Sequence, residues 1–136
     1  MITKKAKYAL KALSVLAKNY EAKSSLTLGD IAAEDNLPKK FLETILHDLR
    51  RAGILSSTQG KNGGYFLNTH PSQIVIAKLI RLIDGPIAPT LCVSLHFYGK
   101  CDDCVSEEKC KIRPLMMQVR DANLSVYENM TLADIL

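Results

Sequence analysis

The fold is decided by residues 27–67, TLGDIAAEDNLPKKFLETILHDLRRAGILSSTQGKNGGYFL, which contain two short amphipathic helices followed by a glycine-rich segment. Thr27 is a good N-cap, and Asp30 three residues later gives an approximate capping box for the first helix. The Asp35-Asn36 pair ends this helix in a turn that tolerates left-handed backbone. The second helix opens at Leu37-Pro38, with proline at a first-turn position where its missing N–H costs nothing. Its apolar stripe consists of Phe41, Leu42, Ile45, Leu46 and Leu49.

A β-hairpin is predicted directly after the second helix, which Gly53 caps. Ile54–Thr58 and Tyr65–Leu67 are strand candidates, and Gln59–Gly64 between them is a loop rich in glycine. Two helices joined by so short a turn are typical of a helix-turn-helix, and a hairpin that follows one is a wing. The sequence therefore predicts a mainly α-helical chain, a winged helix-turn-helix with a two-stranded β-wing. Its second helix would lie in the major groove of DNA.

Side chains at the start of the second helix and at the wing tip are the predicted DNA contacts. The lysines would neutralise phosphates and give a salt-dependent affinity, whereas Lys40, Glu43 and Phe41 would supply base readout. Phe41 belongs either to the core or against a thymine methyl group. The wing glycines would let the backbone approach the phosphates. The predicted DNA-binding residues are Lys4, Thr27, Lys39, Lys40, Phe41, Glu43, Gln59 and Lys61.

The charge of the chain is unevenly distributed. Residues 1–70 hold eleven Lys/Arg and six Asp/Glu, and residues 71–136 hold seven and eight, so the halves contribute +5 and −1 to the net charge of +4. A basic half suggests a polyanionic partner, although the lysines of an N-terminal helix could also line a solvated face. No apolar run approaches the roughly 18 residues of a membrane span, and no secretory signal is visible. A cytoplasmic protein without a membrane partner is therefore expected.

Four further helices are predicted around this unit, three of them short or medium in length and one, near the C-terminal end, long. Thr3 can cap a helix over about residues 4–19, whose apolar stripe is expected to face the core. Another helix is predicted over about 76–84, stopped by the Gly-Pro pair that follows it. Thr131 can cap a final short helix over 132–136.

A long C-terminal helix is predicted over about residues 112–129, with apolar residues every three or four positions. In so small a chain this stripe needs another surface, most simply a second copy of the helix in a twofold dimer. The alternative is that it packs on the first helix of its own chain. The stripe consists of Ile112, Leu115, Met116, Val119, Ala122 and Val126.

All four cysteines lie within residues 92–110, CVSLHFYGKCDDCVSEEKC, which lack helical or strand periodicity and predict a loop. The two-residue gap between Cys101 and Cys104 puts two sulfurs on one tight turn, a common start of a metal site. Spare buried thiols and structural disulfides fit poorly, because the cysteines stand among charges in a chain expected in a reducing compartment. Four thiolates fit either structural zinc or an iron–sulfur cluster, and the spacing does not separate these two. The candidate ligands are Cys92, Cys101, Cys104 and Cys110.

Four stretches carry a resemblance to a known family: KYALKALSVLA, LPKKFLETILHDLRRAGIL, the wing ending GGYFL, and the cysteine loop followed by IRPLMMQVRDANL and TLADIL. In these stretches the chain resembles the IscR/NsrR family, the Rrf-type winged-helix transcription regulators of bacteria. The resemblance covers nearly the whole chain, in order. It implies a homodimer whose long C-terminal helices cross at the interface. It also implies an iron–sulfur cluster, which members with three cysteines in this loop bind there.

The resemblance places Cys92, Cys104 and Cys110 on the three cysteine positions of the family and leaves Cys101 as an extra cysteine. Some members supply a non-cysteine fourth ligand just after the last cysteine. Arg113 occupies that position here and cannot ligate, so Cys101 could take the fourth place. A 2Fe–2S or 4Fe–4S cluster on four thiolates is the resulting expectation. The wing also departs from the family, because many relatives have arginine where this chain has Gln59.

The resulting hypothesis is a non-enzymatic repressor that binds an operator as a homodimer and senses redox state, nitric oxide or iron–sulfur status through its cluster. One alternative keeps the DNA binding and replaces the cluster with zinc or a thiol switch. Another is a protein-interaction module that regulates a metabolic enzyme. A redox enzyme built on the Cys101 and Cys104 pair lacks the βαβ pattern that such enzymes show. The expected organisation is a DNA-binding region over 1–70, a connecting helix and linker over 71–91, the cysteine loop over 92–110, and the dimerisation and terminal helices over 111–136.

Overall fold

The computed structural model of the chain describes residues 2–61 and 63–136. Within them the chain forms five α-helices, two strands and four short 3₁₀ turns. The helices are α1 (Lys4–Lys18), α2 (Leu28–Glu34), α3 (Lys39–Arg51), α4 (Ile76–Asp84) and α5 (Arg113–Tyr127). The strands are β1 (Leu55–Ser57) and β2 (Tyr65–Leu67). The 3₁₀ turns are Tyr20–Ala22, Pro71–Gln73, Leu91–Val93 and Leu132–Ile135.

The ends of the first helices follow the local chemistry that the sequence predicts. The Thr3 hydroxyl accepts a hydrogen bond from the backbone N–H of Ala6 at 3.1 Å and so begins α1. Thr27 and Asp30 form a complete capping box at the start of α2, with both hydrogen bonds at 3.1 Å. Asn36 has a φ of 51° and supplies the left-handed turn between α2 and α3. These confirmed caps fix where the helix-turn-helix begins and turns.

The wing is a two-stranded antiparallel sheet in which Leu55 pairs with Leu67 and Ser57 pairs with Tyr65. At the base of the wing, Tyr65 also exchanges two backbone hydrogen bonds with Leu26, at N–O distances of 2.9 and 2.7 Å. This extra pairing fixes the hairpin to the segment that leads into α2. The predicted winged helix-turn-helix is therefore confirmed.

Helix α1 lies at the centre of the hydrophobic core and contacts α2, α3, α4, β2 and the Leu132–Ile135 turn. Ala6, Ala9 and Ala12 on its buried faces have no exposed surface, and side chains this small let the neighbouring elements approach closely. The largest fully buried side chains come from all parts of the chain and include Leu13, Ile31, Leu42, Leu46, Leu79 and Leu132.

The C-terminal segment returns to this core beside α4. The N–H of Leu132 donates to the carbonyl of Ile74 at 2.8 Å, and the N–H of Ile76 donates to the carbonyl of Met130 at 2.9 Å. The final helix predicted over 132–136 is a single 3₁₀ turn, because so short a segment makes only i→i+3 hydrogen bonds. Leu132 has no exposed surface, so this turn closes one side of the core.

Helix α5 leaves most of its predicted apolar stripe uncovered. Ile112, Leu115 and Val126 are 58%, 54% and 51% exposed, whereas Leu124 on the opposite side is buried. The helix contacts α4 and the Leu91–Val93 turn, so packing within its own chain does not cover the stripe. In the part of the chain that the structure describes, no helix combines the length and apolarity needed to cross a membrane.

Replacing Gly64 by alanine is expected to destabilise the protein by about 1–3 kcal/mol, because the new methyl group overpacks the wing base. A Cβ at Gly64 would lie 2.3 Å from the carbonyl oxygen of Leu26 and 2.9 Å from the nitrogen of Thr27. Gly29→Ala is the matched control, since its nearest neighbour would be at an ordinary 3.7 Å. Urea titration measures both free energies of unfolding. A Gly64→Ala protein as stable as the wild type would contradict this packing of the wing base.

Candidate DNA interface and cysteine site

The polar face of α3 carries three of the predicted DNA contacts. Lys39, Lys40 and Glu43 are exposed, because the apolar residues of this helix face the core. Pro38 precedes α3 rather than lying within its first turn, and it provides no side-chain cap. The first backbone N–H groups of α3 can therefore donate to an anion such as a phosphate. The start of this helix presents two ammonium groups, one carboxylate and backbone donors to a nucleic acid.

Phe41 lies half-buried between α3 and α1. Its ring stands edge-to-face against Tyr8, with the ring centroids 5.6 Å apart, an arrangement that aromatic pairs prefer. Of the two predicted roles, these contacts support core packing. Contact with a thymine methyl group stays a prediction.

Two polar contacts orient α3 on its neighbours. The Lys5 ammonium lies 3.0 Å from a carboxylate oxygen of Asp48, which joins α1 to α3. The Arg50 guanidinium donates to the Ser57 hydroxyl at 3.1 Å, which joins the end of α3 to β1. Both contacts are partly solvated, so they orient the helix more than they stabilise the fold.

The wing tip carries Gln59 and Lys61, both exposed. Thr58 closes the loop below them, because its N–H donates to the carbonyl of Gly64 at 2.8 Å. The Thr58 hydroxyl also donates to the Ser25 hydroxyl at 3.1 Å, which ties the tip to the segment before α2. The two predicted wing contacts are thus held on the same side of the molecule as the start of the helix-turn-helix.

The remaining predicted DNA contacts lie at helix starts. Lys4 is exposed at the first position of α1. The Thr27 hydroxyl accepts the N–H of Asp30, which leaves its own proton free to donate. The Lys39 side chain extends toward Gly29 at the start of α2. Asn62, part of the predicted wing loop, lies outside the described residues.

The four cysteines line one cavity of about 320 Å³ at the start of α5. Cys92 is the buried member, 8% exposed, and lies in the Leu91–Val93 turn. Its sulfur is 3.3 Å from the Thr90 hydroxyl, within hydrogen-bond range. The wall thus combines residues from both ends of the cysteine loop with the first residues of α5.

The other three cysteines lie on two tight turns. The N–H of Cys104 donates to the carbonyl of Cys101 at 3.0 Å, which confirms the predicted turn at the two-residue spacing. The N–H of Cys110 donates to the carbonyl of Glu107 at 3.3 Å and forms the second turn. The Tyr98 hydroxyl donates to the Glu107 carboxylate and joins the two sides of the loop. This hydrogen bond is the main cause of the raised pKa of Tyr98.

The pKa of the Cys101 thiol is raised. The largest cause is its side-chain hydrogen bond with Cys92, followed by desolvation and by the negative charges of Cys92, Asp103 and Cys104. Cys101 is therefore protonated at neutral pH. Because a metal ligand must be the thiolate, binding at this position has to displace that proton.

The four thiols of the cavity are ligands that both zinc and an iron–sulfur cluster use. Among the residues that the structure describes, no three His, Cys, Asp or Glu side chains stand close enough to hold a single metal ion. Zinc would draw four sulfurs to about 2.3 Å from one centre. An iron–sulfur cluster uses the same thiolates but spreads them around several iron and sulfide atoms. Four thiols that line one cavity fit a sulfur-ligated group of either kind.

Three residues that the sequence did not assign also shape the site. The Thr90 hydroxyl contacts Cys92, and the Arg120 guanidinium donates to the carbonyl of Val93 at 2.8 Å. Arg113 lines the cavity, and its buried Nε has no hydrogen-bond partner within residues 2–61 and 63–136. Sequence reasoning treated Arg113 only as a residue that cannot ligate. Its position at the start of the long helix, three residues after Cys110, is the sequence feature that could have predicted its place in the cavity wall.

Comparison with known proteins assigns the chain to a family. The family model Rrf2, described as an iron-dependent transcriptional regulator, matches residues 2–136. An rrf2-like HTH-type transcriptional regulator of Rhodobacter capsulatus is 46% identical over 138 residues, covering 100% of this chain and 92% of that protein. The HTH-type transcriptional regulator IscR of Escherichia coli is 30% identical over 134 residues, covering 98% of this chain and 78% of that protein.

The solved structures agree with this assignment. The structure of CymR, the global cysteine regulator of Bacillus subtilis, superposes with a TM-score of 0.79 at 32% identity. The superposition covers 99% of this chain and 95% of that one. These relatives are regulators rather than enzymes, which confirms the predicted non-enzymatic role. The chain belongs to the Rrf2 family of winged-helix transcriptional regulators.

Proposed function

We propose that this chain is a homodimeric repressor that binds operator DNA and is switched by an iron–sulfur cluster. Cys92, Cys101, Cys104 and Cys110 would hold the cluster. The observation that carries the proposal is the convergence of these four thiols on one cavity beside α5. The other half of the chain is a winged helix-turn-helix. One molecule would therefore combine a DNA-binding domain with a cysteine-lined sensing site.

The DNA-binding part of the proposal rests on α3 and the wing. Lys39 and Lys40 would neutralise phosphates, and Glu43 would accept a hydrogen bond from a cytosine amino group in the major groove. Gln59 and Lys61 would contact the backbone or the minor groove, since a hairpin tip of this kind lies beside the duplex. Lys4 and Thr27 would add phosphate contacts at the starts of α1 and α2.

The sensing part of the proposal rests on the cysteine cavity. The bound group, a 2Fe–2S or 4Fe–4S cluster, would supply a centre whose state depends on oxidant, nitric oxide or iron supply. The chain would supply four thiolates, with Cys101 giving up its proton on binding. The hydrogen bond from Tyr98 to Glu107 would hold the two sides of the loop together around it.

The dimer is proposed because the outer face of α5 is apolar and uncovered. Leu115, Val119 and Val126 are 54%, 39% and 51% exposed on one helix. A second copy of the same helix, related by a twofold axis, would bury both stripes at once. The first residue of α5, Arg113, also lines the cysteine cavity, so the interface and the sensing site would share one element.

Polar contacts connect α5 to the DNA-binding half. The Arg81 guanidinium of α4 lies 2.9 Å from Glu128 at the end of α5. In the same last turn of α4, the Asp84 carboxylate accepts the N–H of Thr3, the N-cap residue of α1, at 3.0 Å. A change at the cysteine loop can therefore reposition α1 through α5 and α4. The cluster would change DNA affinity only if it binds one of two conformations of the chain more tightly than the other.

A thiol switch is the second candidate. It is favoured by the place of Cys92 and Cys101 on one cavity wall, where a peroxide could oxidise the two thiols to a disulfide. The structural similarity to CymR, a protein described as a global cysteine regulator, also fits this candidate. Zinc on the same thiolates is a third candidate, which the metal content of the purified protein distinguishes from the other two.

Anaerobically purified protein is expected to contain iron and acid-labile sulfide and to absorb visible light. Cys101→Ser is expected to release iron to a chelator about 10-fold faster or more, because a hydroxyl is a poor substitute for a thiolate. Glu108→Gln, at an exposed position of the same loop outside the cavity lining, is the matched control. Colourless wild-type protein without iron would remove the cluster. Bound zinc or a Cys92–Cys101 disulfide would then identify the alternative.

Lys40→Ala is expected to weaken binding to duplex DNA and to reduce the slope of log Kd against log salt by about 0.9, the loss of one phosphate contact. Lys78→Ala, which removes an exposed lysine from α4, is the control and should leave the slope unchanged. Fluorescence anisotropy at several salt concentrations measures both. An unchanged slope for Lys40→Ala would take this residue out of the DNA interface.

Leu115→Glu is expected to convert the dimer to monomer, because the carboxylate would be buried at the twofold contact without a partner. Gln118→Glu adds the same charge at an exposed polar position of α5 and is expected to leave the dimer intact. Sedimentation equilibrium gives the mass of each protein. A monomeric wild type, or an equally dimeric Leu115→Glu protein, would contradict this interface.

A further inference from the structure

Arg113 is the first residue of α5 and forms part of the cysteine cavity wall. Its Nε atom is buried and has no hydrogen-bond partner within the described chain. Its Nη1 atom lies 3.9 Å from the sulfur of Met117, which is a weak acceptor. A charged guanidinium normally uses its fixed fork of donors on a carboxylate, a phosphate or carbonyl groups. The protein atoms around Arg113 therefore leave its donors largely unused.

Arg113 makes no ion pair within the described residues, although the carboxylates of Asp103 and Glu107 also line the cavity and Tyr98 donates to that of Glu107. No carboxylate of the described residues lies within ion-pair distance of it, whereas Arg120 on the same helix pairs with Asp121 at 2.8 Å. The start of a helix already carries partial positive charge, so a cation at this end of α5 is unfavourable by itself. The guanidinium and the helix start thus meet at one wall of a cavity that is lined by four thiols and also by Asp103, Glu107 and Lys109. This arrangement suits a bound group that is negatively charged and rich in sulfur.

We infer that Arg113 donates from its guanidinium to a sulfur atom of the bound cluster or of a ligating thiolate, an inference that rests on the proposed function. Four thiolates outnumber the charge of the oxidised iron–sulfide core, so the loaded site is an anion. Arg113 compensates that anion and satisfies its own buried donor. Arg113 thus holds the cluster from outside the ligand set, at the position where it cannot ligate iron.

Two consequences follow from this contact. Hydrogen bonds and positive charge near the sulfurs favour the more reduced, more negative state of a cluster. Arg113 therefore raises the reduction potential of the site. Outer-sphere hydrogen bonds also slow the loss of metal. Removing the guanidinium should lower the potential and speed cluster release together.

The test compares three full-length proteins with the wild type after anaerobic reconstitution with iron and sulfide. Arg113→Gln removes the positive charge and the planar set of guanidinium N–H donors. Arg113→Lys keeps the charge and loses that planar set of donors. Lys111→Gln removes one positive charge from an exposed position nearby, outside the described cavity wall, and is the matched control. The readouts are the reduction potential from an anaerobic dye titration, the rate of iron release to a chelator, and the thermal unfolding of the apo-protein.

Arg113→Gln is expected to lower the potential and to release iron about 10-fold faster or more. Arg113→Lys should fall between it and the wild type, and Lys111→Gln should match the wild type. If Arg113→Gln fails to fold, the release rate of Arg113→Lys decides, and a rate equal to the wild type would overturn the inference. Wild-type potential and release rate in Arg113→Gln would overturn the Arg113 contact and leave the cluster proposal standing. A wild type that takes up no iron or sulfide would overturn both.

Discussion

The burial of α1 is the constraint on which the rest of the structure depends. Its alanines at positions 6, 9 and 12 have no exposed surface, and the helix meets α2, α3, α4, β2 and the C-terminal turn. Small side chains on the buried faces let these elements pack at short distance around a single helix. The DNA-binding half and the helices that lead to the cysteine loop therefore share one core. A displacement of α4 has to be accommodated by α1, and through α1 by α3.

The cysteine cavity balances two opposed electrostatic demands. The hydrogen bond with Cys92, followed by desolvation and the nearby negative charges, raises the pKa of Cys101, so the empty ligand set avoids gathering several negative charges in one place. Arg113 and the start of α5 supply positive charge on the other side of the cavity. A sulfur-bound anionic cluster would satisfy both sides at once. A neutral ligand would fit the cavity less well, because it would leave the charge of the Arg113 guanidinium unbalanced.

The elements around the cavity also explain how one small chain can hold two functional surfaces. Arg120 fixes the turn that contains Cys92 to α5, and the uncovered stripe of α5 runs along the other side of the helix. Helix α5 places its first residue, Arg113, on the cavity wall and leaves its apolar stripe uncovered, so one helix joins the cavity to an exposed apolar face. The wing and α3 stand at the opposite end of this contact series, where their lysines stay solvated.

The sequence by itself determined the features that depend on neighbouring residues. The capping box of Thr27 and Asp30, the left-handed Asn36 and the tight turn from Cys101 to Cys104 all form within a few residues, so local chemistry was enough. The site residues on α3, the wing tip and the cysteine loop could also be named from sequence pattern and family resemblance. Only the tertiary structure decided which distant segments meet: Leu26 pairs with Tyr65, Arg120 donates to Val93, and Cys92 and Arg113 line the same cavity. Long-range packing chooses such partners by shape and charge, and no local spacing encodes that choice.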